Sequence, residues 1–309
     1  MRREVRIASR GSKLALAQAD IVRRSLEKMS PGVEFSIVKI STRGDRDKSC
    51  FLYKSESVGL FTSEVENAVL SGRADVAVHS LKDLPTAGSQ ELLVAAVMKR
   101  EAVADALVAS GRAGSIEELP VGAVVGTSSL RRIAQLKYLR PDLQCVPLRG
   151  NVETRVRKVQ SGGVDAAVVA CAGLYRLGLS DRISAVLDPE QFLTAPGQGA
   201  LAVQIRADDA ELRRLVRGLD DEPTRVATEA ERCVLAAMRG GCSIPLGAYA
   251  RVADNRLVID AMIADIDGRN LIRRCSSSTL DESHSCAIKL AEELLQVGGR
   301  EILERIRSA

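Results

Sequence analysis

One structural plan appears twice in this chain. The first copy reads strand Val5–Ser9, helix Leu14–Met29, strand Glu34–Ile40, helix Leu60–Leu70, strand Asp75–His79. The second reads strand Ala123–Gly126, helix Leu130–Leu139, strand Leu143–Leu148, helix Val152–Gln160, strand Asp165–Ala170. Each strand is a short apolar run with β-branched residues, and each helix carries apolar positions about 3.6 residues apart. The punctuation repeats too. Ser9-Arg10-Gly11-Ser12 corresponds to Gly126-Thr127-Ser128-Ser129, and Arg43-Gly44-Asp45 to Arg149-Gly150-Asn151. Leu70-Ser71-Gly72 precedes one third strand as Gln160-Ser161-Gly162 precedes the other. A βαβαβ order implies parallel sheets. Two copies predict two similar domains facing each other across a cleft. Ligands of such sheets bind beyond the carboxyl ends of the strands, where helix N-termini point.

The boundaries follow from the breaks. The chain leaves the strand Leu92–Met98 near residues 99–104 and crosses again in Thr194-Ala195-Pro196-Gly197-Gln198-Gly199-Ala200. The strand Leu201–Ile205 is expected to return to the first sheet, and the two crossings to form a hinge. From Glu222 the character changes. Helix Thr224–Met238 leads into Gly240-Gly241-Cys242-Ser243-Ile244-Pro245-Leu246-Gly247, which reads as an exposed loop. Three strands follow, at about Gly247–Val252, Leu257–Ala264 and Asn270–Ser276, with turns at Asp254-Asn255 and Asp267-Gly268 and a closing helix from about His284 to Leu295. The expected division is 1–99 with 198–218, then 104–194, then 222–309.

Composition excludes several classes. A net charge of +4 over 309 residues is too weak for a general polyanion binder. Tryptophan is absent and aromatics make up 3%, which argues against base-stacking platforms and a nucleic-acid partner. No apolar run is long enough to span a bilayer, and Met1-Arg2-Arg3-Glu4 enters a strand without a signal-peptide core, so no membrane partner and a cytoplasmic location are expected. Seven cysteines at scattered spacings suit a reducing compartment, and none pairs at metal-ligand spacing with another or with His79 or His284. Arginine outnumbers lysine about three to one, a bias that suits bidentate recognition of carboxylate or phosphate.

Position sharpens that bias. Both strand-to-helix turns offer backbone N–H groups and hydroxyls, although Ser12 and Ser129 also read as ordinary N-caps. Arg131 and Arg132 open a helix, where the dipole disfavours cations, which makes sense if an anion sits above them. Arg149 and Arg155 flank the next turn and Arg176 follows the third strand, so all should rim the same cleft. A Walker-type lysine loop is absent, which disfavours nucleotides. His79-Ser80-Leu81-Lys82-Asp83-Leu84-Pro85 ends the third strand of the first copy, with Asp83 either a general acid/base or a turn-forming aspartate. His79 reads as pointing into the sheet and structural. Cys242, on its glycine-flanked loop, is a nucleophile or an attachment point, or a bystander.

Together these motifs resemble the porphobilinogen deaminase (hydroxymethylbilane synthase) family along nearly the whole chain. The matching segments include Arg6-Ile7-Ala8-Ser9-Arg10-Gly11-Ser12, Thr42-Arg43-Gly44-Asp45, Val78–Pro85, Gly126–Arg132, Leu148–Val152, Gly197–Ala200 and Gly240–Gly247. The resemblance implies an α/β fold: two βαβαβ domains of periplasmic-binding-protein-like architecture joined by a hinge, plus a small C-terminal α+β domain. It implies a monomer that joins four porphobilinogen units head to tail on a covalent dipyrromethane primer, releasing ammonia and yielding hydroxymethylbilane for tetrapyrrole synthesis. The family's attachment cysteine matches Cys242 and its catalytic aspartate Asp83. Its cofactor-binding positions match Lys82, Thr127, Ser128, Ser129, Arg131 and Arg132, and its substrate-binding positions Arg10, Ser12, Arg149, Arg155 and Arg176. One segment departs: where the family has a Gly-Gly-Lys-Gly lid, this chain reads Ser55-Glu56-Ser57-Val58-Gly59. The alternative from another class is a non-catalytic hinged binding protein for a small dicarboxylate or oxyanion. It explains the arginines but neither Asp83 nor a third domain presenting a thiol.

Overall fold

The structure is a computed structural model that describes residues 4–42, 62–111, 113–238 and 244–308. Cys242, the Ser55–Gly59 segment and Arg43-Gly44-Asp45 lie outside the described residues. In chain order the first elements are β1 (Glu4–Arg10), α1 (Lys13–Met29), β2 (Glu34–Ile40), α2 (Ser63–Leu70), β3 (Val76–Ser80), a 3₁₀ turn at Leu81–Asp83, and β4 (Leu92–Val97). Next come β5 (Asp105–Ala109), β6 (Val124–Gly126), α3 (Leu130–Leu139), β7 (Gln144–Val146), α4 (Val152–Gln160), β8 (Ala166–Ala170), α5 (Cys171–Arg176) and β9 (Ala185–Leu187). The remainder is β10 (Leu201–Arg206), α6 (Ala210–Val216), α7 (Glu222–Ala237), β11 (Leu246–Ala253), β12 (Arg256–Ala264), β13 (Leu271–Thr279), α8 (Ser283–Leu294) and α9 (Arg300–Ser308). The chain forms two compact units, Met1–Glu101 with Gly199–Arg225, and Ala102–Gln198 with Val226–Ala309. No helix among the described residues is long and apolar enough to cross a membrane.

The first unit holds a five-stranded sheet in the order β2-β1-β3-β10-β4. The second holds one in the order β7-β6-β8-β5-β9. Strand for strand these are the same sheet. In each, the first three strands run parallel and the fourth antiparallel. The sheets are therefore mixed, where the βαβαβ pattern alone predicts parallel ones. The reason lies in the crossings. After β4 the chain enters the second unit and inserts β5 between β8 and β9. After β9 it returns and inserts β10 between β3 and β4.

The duplicated punctuation has a physical basis in each copy. The aspartate ahead of the third strand clamps the first: the Arg6 N–H donates to Asp75 Oδ2 at 2.8 Å, and the Val124 N–H to Asp165 Oδ2 at 2.7 Å. The helix before it ends on Ser-Gly, with Gly72 at φ 70° and Gly162 at φ 72°, the left-handed region that glycine enters without a side-chain penalty. Apolar cores lie on both faces of each sheet. One contains Val5, Ile7, Val22, Leu26 and Val203, and another Leu107, Val125, Leu136, Val168 and Phe192.

Residues 246–308 of the second unit add an antiparallel sheet, β11-β12-β13, covered by α7 and α8. The β11–β12 hairpin turns on Asp254 and Asn255, both at positive φ (50° and 56°), the geometry of a tight two-residue hairpin loop. This layer packs on α3 through Ala134, Leu193, Met262 and Ala264. Glu231, fully buried on α7, accepts from the N–H of Gly197 at 2.7 Å and of Ala250 at 2.8 Å, tying the crossing segment to β11.

Candidate functional site

In the first unit, the strand order brings the carboxyl ends of β1, β2 and β3 to one edge. Three functional segments leave from there: Arg10–Ser12, Thr42 and Leu81–Asp83. Ser12 accepts from the Ala15 N–H at 3.3 Å and so caps α1. That occupies one of its lone pairs and leaves the hydroxyl proton to donate. Arg10, Ser12, Leu14, Ala15, Gln18, Thr62, Val78, His79, Ser80 and Asp83 line a small open pocket. Asp83 is exposed at its mouth and Lys82 half-buried beside it. Gln18 is 4% exposed, and its Nε2 donates to Ser80 Oγ at 2.8 Å. Sequence reading missed Gln18, which looked like one more position of an amphipathic helix. The structure thus brings Arg10, Ser12 and Asp83 to a single pocket.

In the second unit, β6, β7 and β8 end at the corresponding edge. Thr127 is buried and its Oγ1 accepts from the Ser129 N–H at 3.2 Å, while Ser128 Oγ donates to the Leu148 carbonyl at 3.2 Å. Ser129 begins α3 without a side-chain capping bond, so its hydroxyl stays available. Asn151 caps α4 instead, accepting from the Thr154 N–H at 2.9 Å. Arg149 and Arg155 flank that turn, both half-buried, with Arg155 Nε donating to the Gly150 carbonyl at 3.0 Å. Arg176 ends α5.

Arg131 and Arg132 differ from the expectation of a rim. They are 4% and 5% exposed, and the anion they face belongs to the protein. Asp105, fully buried at the start of β5, accepts from Arg131 Nη2 at 2.8 Å, from Arg132 Nε at 3.1 Å and Nη2 at 2.6 Å, and from Gln198 Nε2 at 2.9 Å. Two carbonyls complete the cage: Arg131 Nη1 donates to Leu193 and Arg132 Nη1 to Val168. The first turn of α3 lies over the sheet, so side chains there turn inward to the inserted strand β5. Burial draws the Arg131 guanidinium below its usual value; Asp105 opposes this and Arg132 adds to it. Two cations share one carboxylate, so the cluster holds one excess positive charge at the N-terminal end of α3, beside Thr127, Ser128 and Ser129.

This donor set fits a multiply carboxylated ligand, since hydroxyls, a helix N-terminus and surplus guanidinium charge all favour anions. Four of the described cysteines have thiols that resist ionisation. Burial pushes the thiols of Cys145, Cys233 and Cys275 up, and that of Cys171 up to about 11.

Two family models match. Residues 5–214 fit "Porphobilinogen deaminase, dipyromethane cofactor binding domain", and residues 226–296 fit "Porphobilinogen deaminase, C-terminal domain". The chain belongs to the porphobilinogen deaminase family. Porphobilinogen deaminase from Desulforudis audaxviator is 48% identical over 308 residues, covering 100% of this chain and 99% of that one. The protein of the same name from Pelotomaculum thermopropionicum is 46% identical over 307 residues, covering 99% and 98%. Among solved structures, the methionine-binding protein MetQ overlays with a TM-score of 0.44 at 14% identity, over 70% of this chain and 89% of that one.

Proposed function

We propose that this protein is a hydroxymethylbilane synthase, a transferase that condenses four porphobilinogen molecules in turn on a dipyrromethane primer, releasing ammonia at each step. The observation that carries this reading is the full-length match to porphobilinogen deaminases, joined to a pocket that holds Asp83 with Arg10 and Ser12. We also propose a cytoplasmic monomer, and the division into 1–99 with 198–218, 104–194, and 222–309.

The bound dipyrromethane would supply the pyrrole carbon to which the first monomer is joined. In this reading Cys242 anchors it through a thioether. Lys82 and the hydroxyls of Thr127, Ser128 and Ser129 hold its acetate and propionate groups. Arg131 and Arg132 act from behind, through the excess charge they share over Asp105, rather than by direct display on a rim. Arg10, Ser12, Arg149, Arg155 and Arg176 take the carboxylates of incoming and growing chain units. Charge accumulates with each unit, so a surplus of fixed cations keeps elongation favourable. Asp83 is the catalytic carboxylate: it stabilises positive charge developing on the pyrrole, and it can move a proton as ammonia departs. Tethering makes each coupling effectively intramolecular. The binding-protein alternative has behind it only a loose likeness of architecture.

Intact-mass measurement tests the reading. The purified protein should exceed its sequence mass by two linked pyrrole units, and Cys242→Ser should remove that excess together with turnover. Asp83→Ala should keep the fold and lose most turnover, on the order of 100-fold or more for a lost acid/base group. A fully active protein without added mass would refute the primer, and near-normal turnover of Asp83→Ala would remove that residue from the chemistry.

A further inference from the structure

The segment Leu193–Gln198 is bonded to two different parts of the second unit. Its outer residues meet the arginine cluster: the Leu193 carbonyl accepts from Arg131 Nη1 at 2.6 Å, and Gln198 Nε2 donates to Asp105 Oδ1 at 2.9 Å. Its inner residues meet the C-terminal layer. The Thr194 carbonyl accepts from the Ala248 N–H of β11 at 2.9 Å, and the Gly197 N–H donates to Glu231 Oε2 of α7 at 2.7 Å. Each part is therefore held near both ends of the segment. Asp105, Thr194, Gln198 and Glu231 are fully buried, where low dielectric strengthens such bonds.

The sequence makes this segment stiff. Ala195-Pro196-Gly197-Gln198 closes a turn, with the Gln198 N–H donating to the Ala195 carbonyl at 2.9 Å and Gly197 at φ 75°. Proline second and glycine third at positive φ is the type II pattern, and the proline ring fixes its own φ. Gln198 Nε2 also donates to the Val103 carbonyl at 2.8 Å, so both amide hydrogens are used and the carboxamide is pinned.

What lies on either side gives the segment a use. On one side, Arg131 and Arg132 back the hydroxyls of Thr127, Ser128 and Ser129. On the other, α7 and β11 flank the stretch of chain that carries Cys242. Met238 and Ile244, 1% and 7% exposed, share one core with Val234, Leu246 and Ala248. A covalent primer is gripped twice, by its thioether and by its carboxylates. Its reacting carbon is placed only as well as the spacing of the two grips is fixed. We propose that Leu193–Gln198 is the strap that sets this spacing, with Gln198 as its positioning residue, acting through Asp105 rather than on the primer. This rests on the reading of the chain as a synthase whose primer is anchored at Cys242.

The test uses the primer-loaded enzyme. Rapid quench followed by intact-mass measurement gives the rate constant at which loaded chains gain their first pyrrole unit. Unfolded chains lower the amplitude of that gain and not its rate constant, which separates lost stability from lost register. Gln198→Met keeps the length and loses both donors. It should slow the gain at saturating porphobilinogen by about tenfold or more, since a misplacement of about 1 Å can cost about a hundredfold, while the half-saturating concentration stays within about twofold. Glu231→Gln should slow the same step, and the double variant should slow it by less than the product of the single effects, because one link is broken twice. A folded Gln198→Met without primer mass, beside a loaded wild type, has lost the same register during loading. An unchanged rate constant in Gln198→Met, or single effects that multiply, would overturn the strap. Where Gln198→Met does not fold, Gln198→Ala, which leaves room for a water on the Val103 carbonyl, is read with the same outcomes. A wild type that carries no primer mass and consumes no porphobilinogen overturns the functional reading and the strap together; a loaded, active wild type with unaffected variants overturns the strap alone.

Discussion

Replacing Asp105 by alanine should damage this protein more than any other single change in the second unit. From described side chains the carboxylate receives at least four hydrogen bonds, three from two guanidiniums and one from Gln198. All of these groups are at least nine-tenths buried. Among the described residues, alanine leaves two like charges side by side without a facing carboxylate, each still donating to one carbonyl. Removing one partner of a buried ion pair costs about 3–5 kcal/mol, and here two cations are stranded rather than one, so the upper half of that range is expected. Against a total stability of about 5–15 kcal/mol, that is enough to populate unfolded chain at physiological temperature. Asp105→Asn keeps one oxygen acceptor and the side-chain shape, so it should lose less. The combined change Asp105→Leu, Arg131→Met, Arg132→Met removes every charge at once and should recover most of the loss, because a well-packed apolar substitute for a buried ionic cluster is often neutral or better. Urea titration followed by far-ultraviolet circular dichroism reads all three, provided the slope stays constant so that the midpoint reports stability. If Asp105→Ala unfolds within about 1 kcal/mol of the wild type, the arginines are reaching water or another anion and the argument fails.

The remaining predictions are briefer. Gly268→Ala should destabilise the packing of the β12–β13 turn on α3 by about 1–3 kcal/mol, since its φ is 74° and a Cβ would enter the backbone of Lys137 and Tyr138; an unchanged melting temperature would refute the close approach. For His79 the folded value of about 4 lies below the ordinary 6.5, so the unfolded chain binds the proton more readily. The stability this group contributes is therefore complete above about 6.5 and is lost as pH falls toward about 4. The difference in stability between wild type and His79→Asn should shrink across that window, and a constant difference would refute it. Met262→Ala, at 1% exposure between the C-terminal sheet and α3, should cost about 2–5 kcal/mol by opening a cavity, checked by the same urea titration.

Much of this fold was legible because its signals are local. The helices Leu130–Leu139 and Val152–Gln160 are read to the residue, since a Ser or Asn start and an Arg or Ser-Gly stop bracket a 3.6-residue period. The hairpin at Asp254-Asn255 announces itself in two residues. What escaped is non-local. Strand β5 pairs with β8 some sixty residues away, and nothing in its neighbourhood says that it runs antiparallel. The sequence puts Arg131 and Arg132 in the first turn of a helix, but two adjacent helix positions do not reveal which way that turn faces, and both are buried. A clue was present: Asp105 stands alone inside the apolar run Ala102–Ala109, and a lone carboxylate there must find a cation. From sequence His79 reads as buried and structural. It is buried, but it also lines the pocket.

The exchange of the fourth strand has a consequence for how the protein is made. Among the described strands β4 pairs only with β10, so a ribosome that has finished β4 must add more than a hundred residues before that partner exists. At about 5–20 residues per second that is on the order of ten seconds. Throughout that interval the N-terminal unit carries an unpaired apolar strand, while every strand of the second sheet lies within one continuous stretch and can close as it emerges. The portion synthesised second is thus positioned to finish folding first. A nascent chain halted near Gln198 should protect β5–β9 from proteolysis and leave β4 open to it.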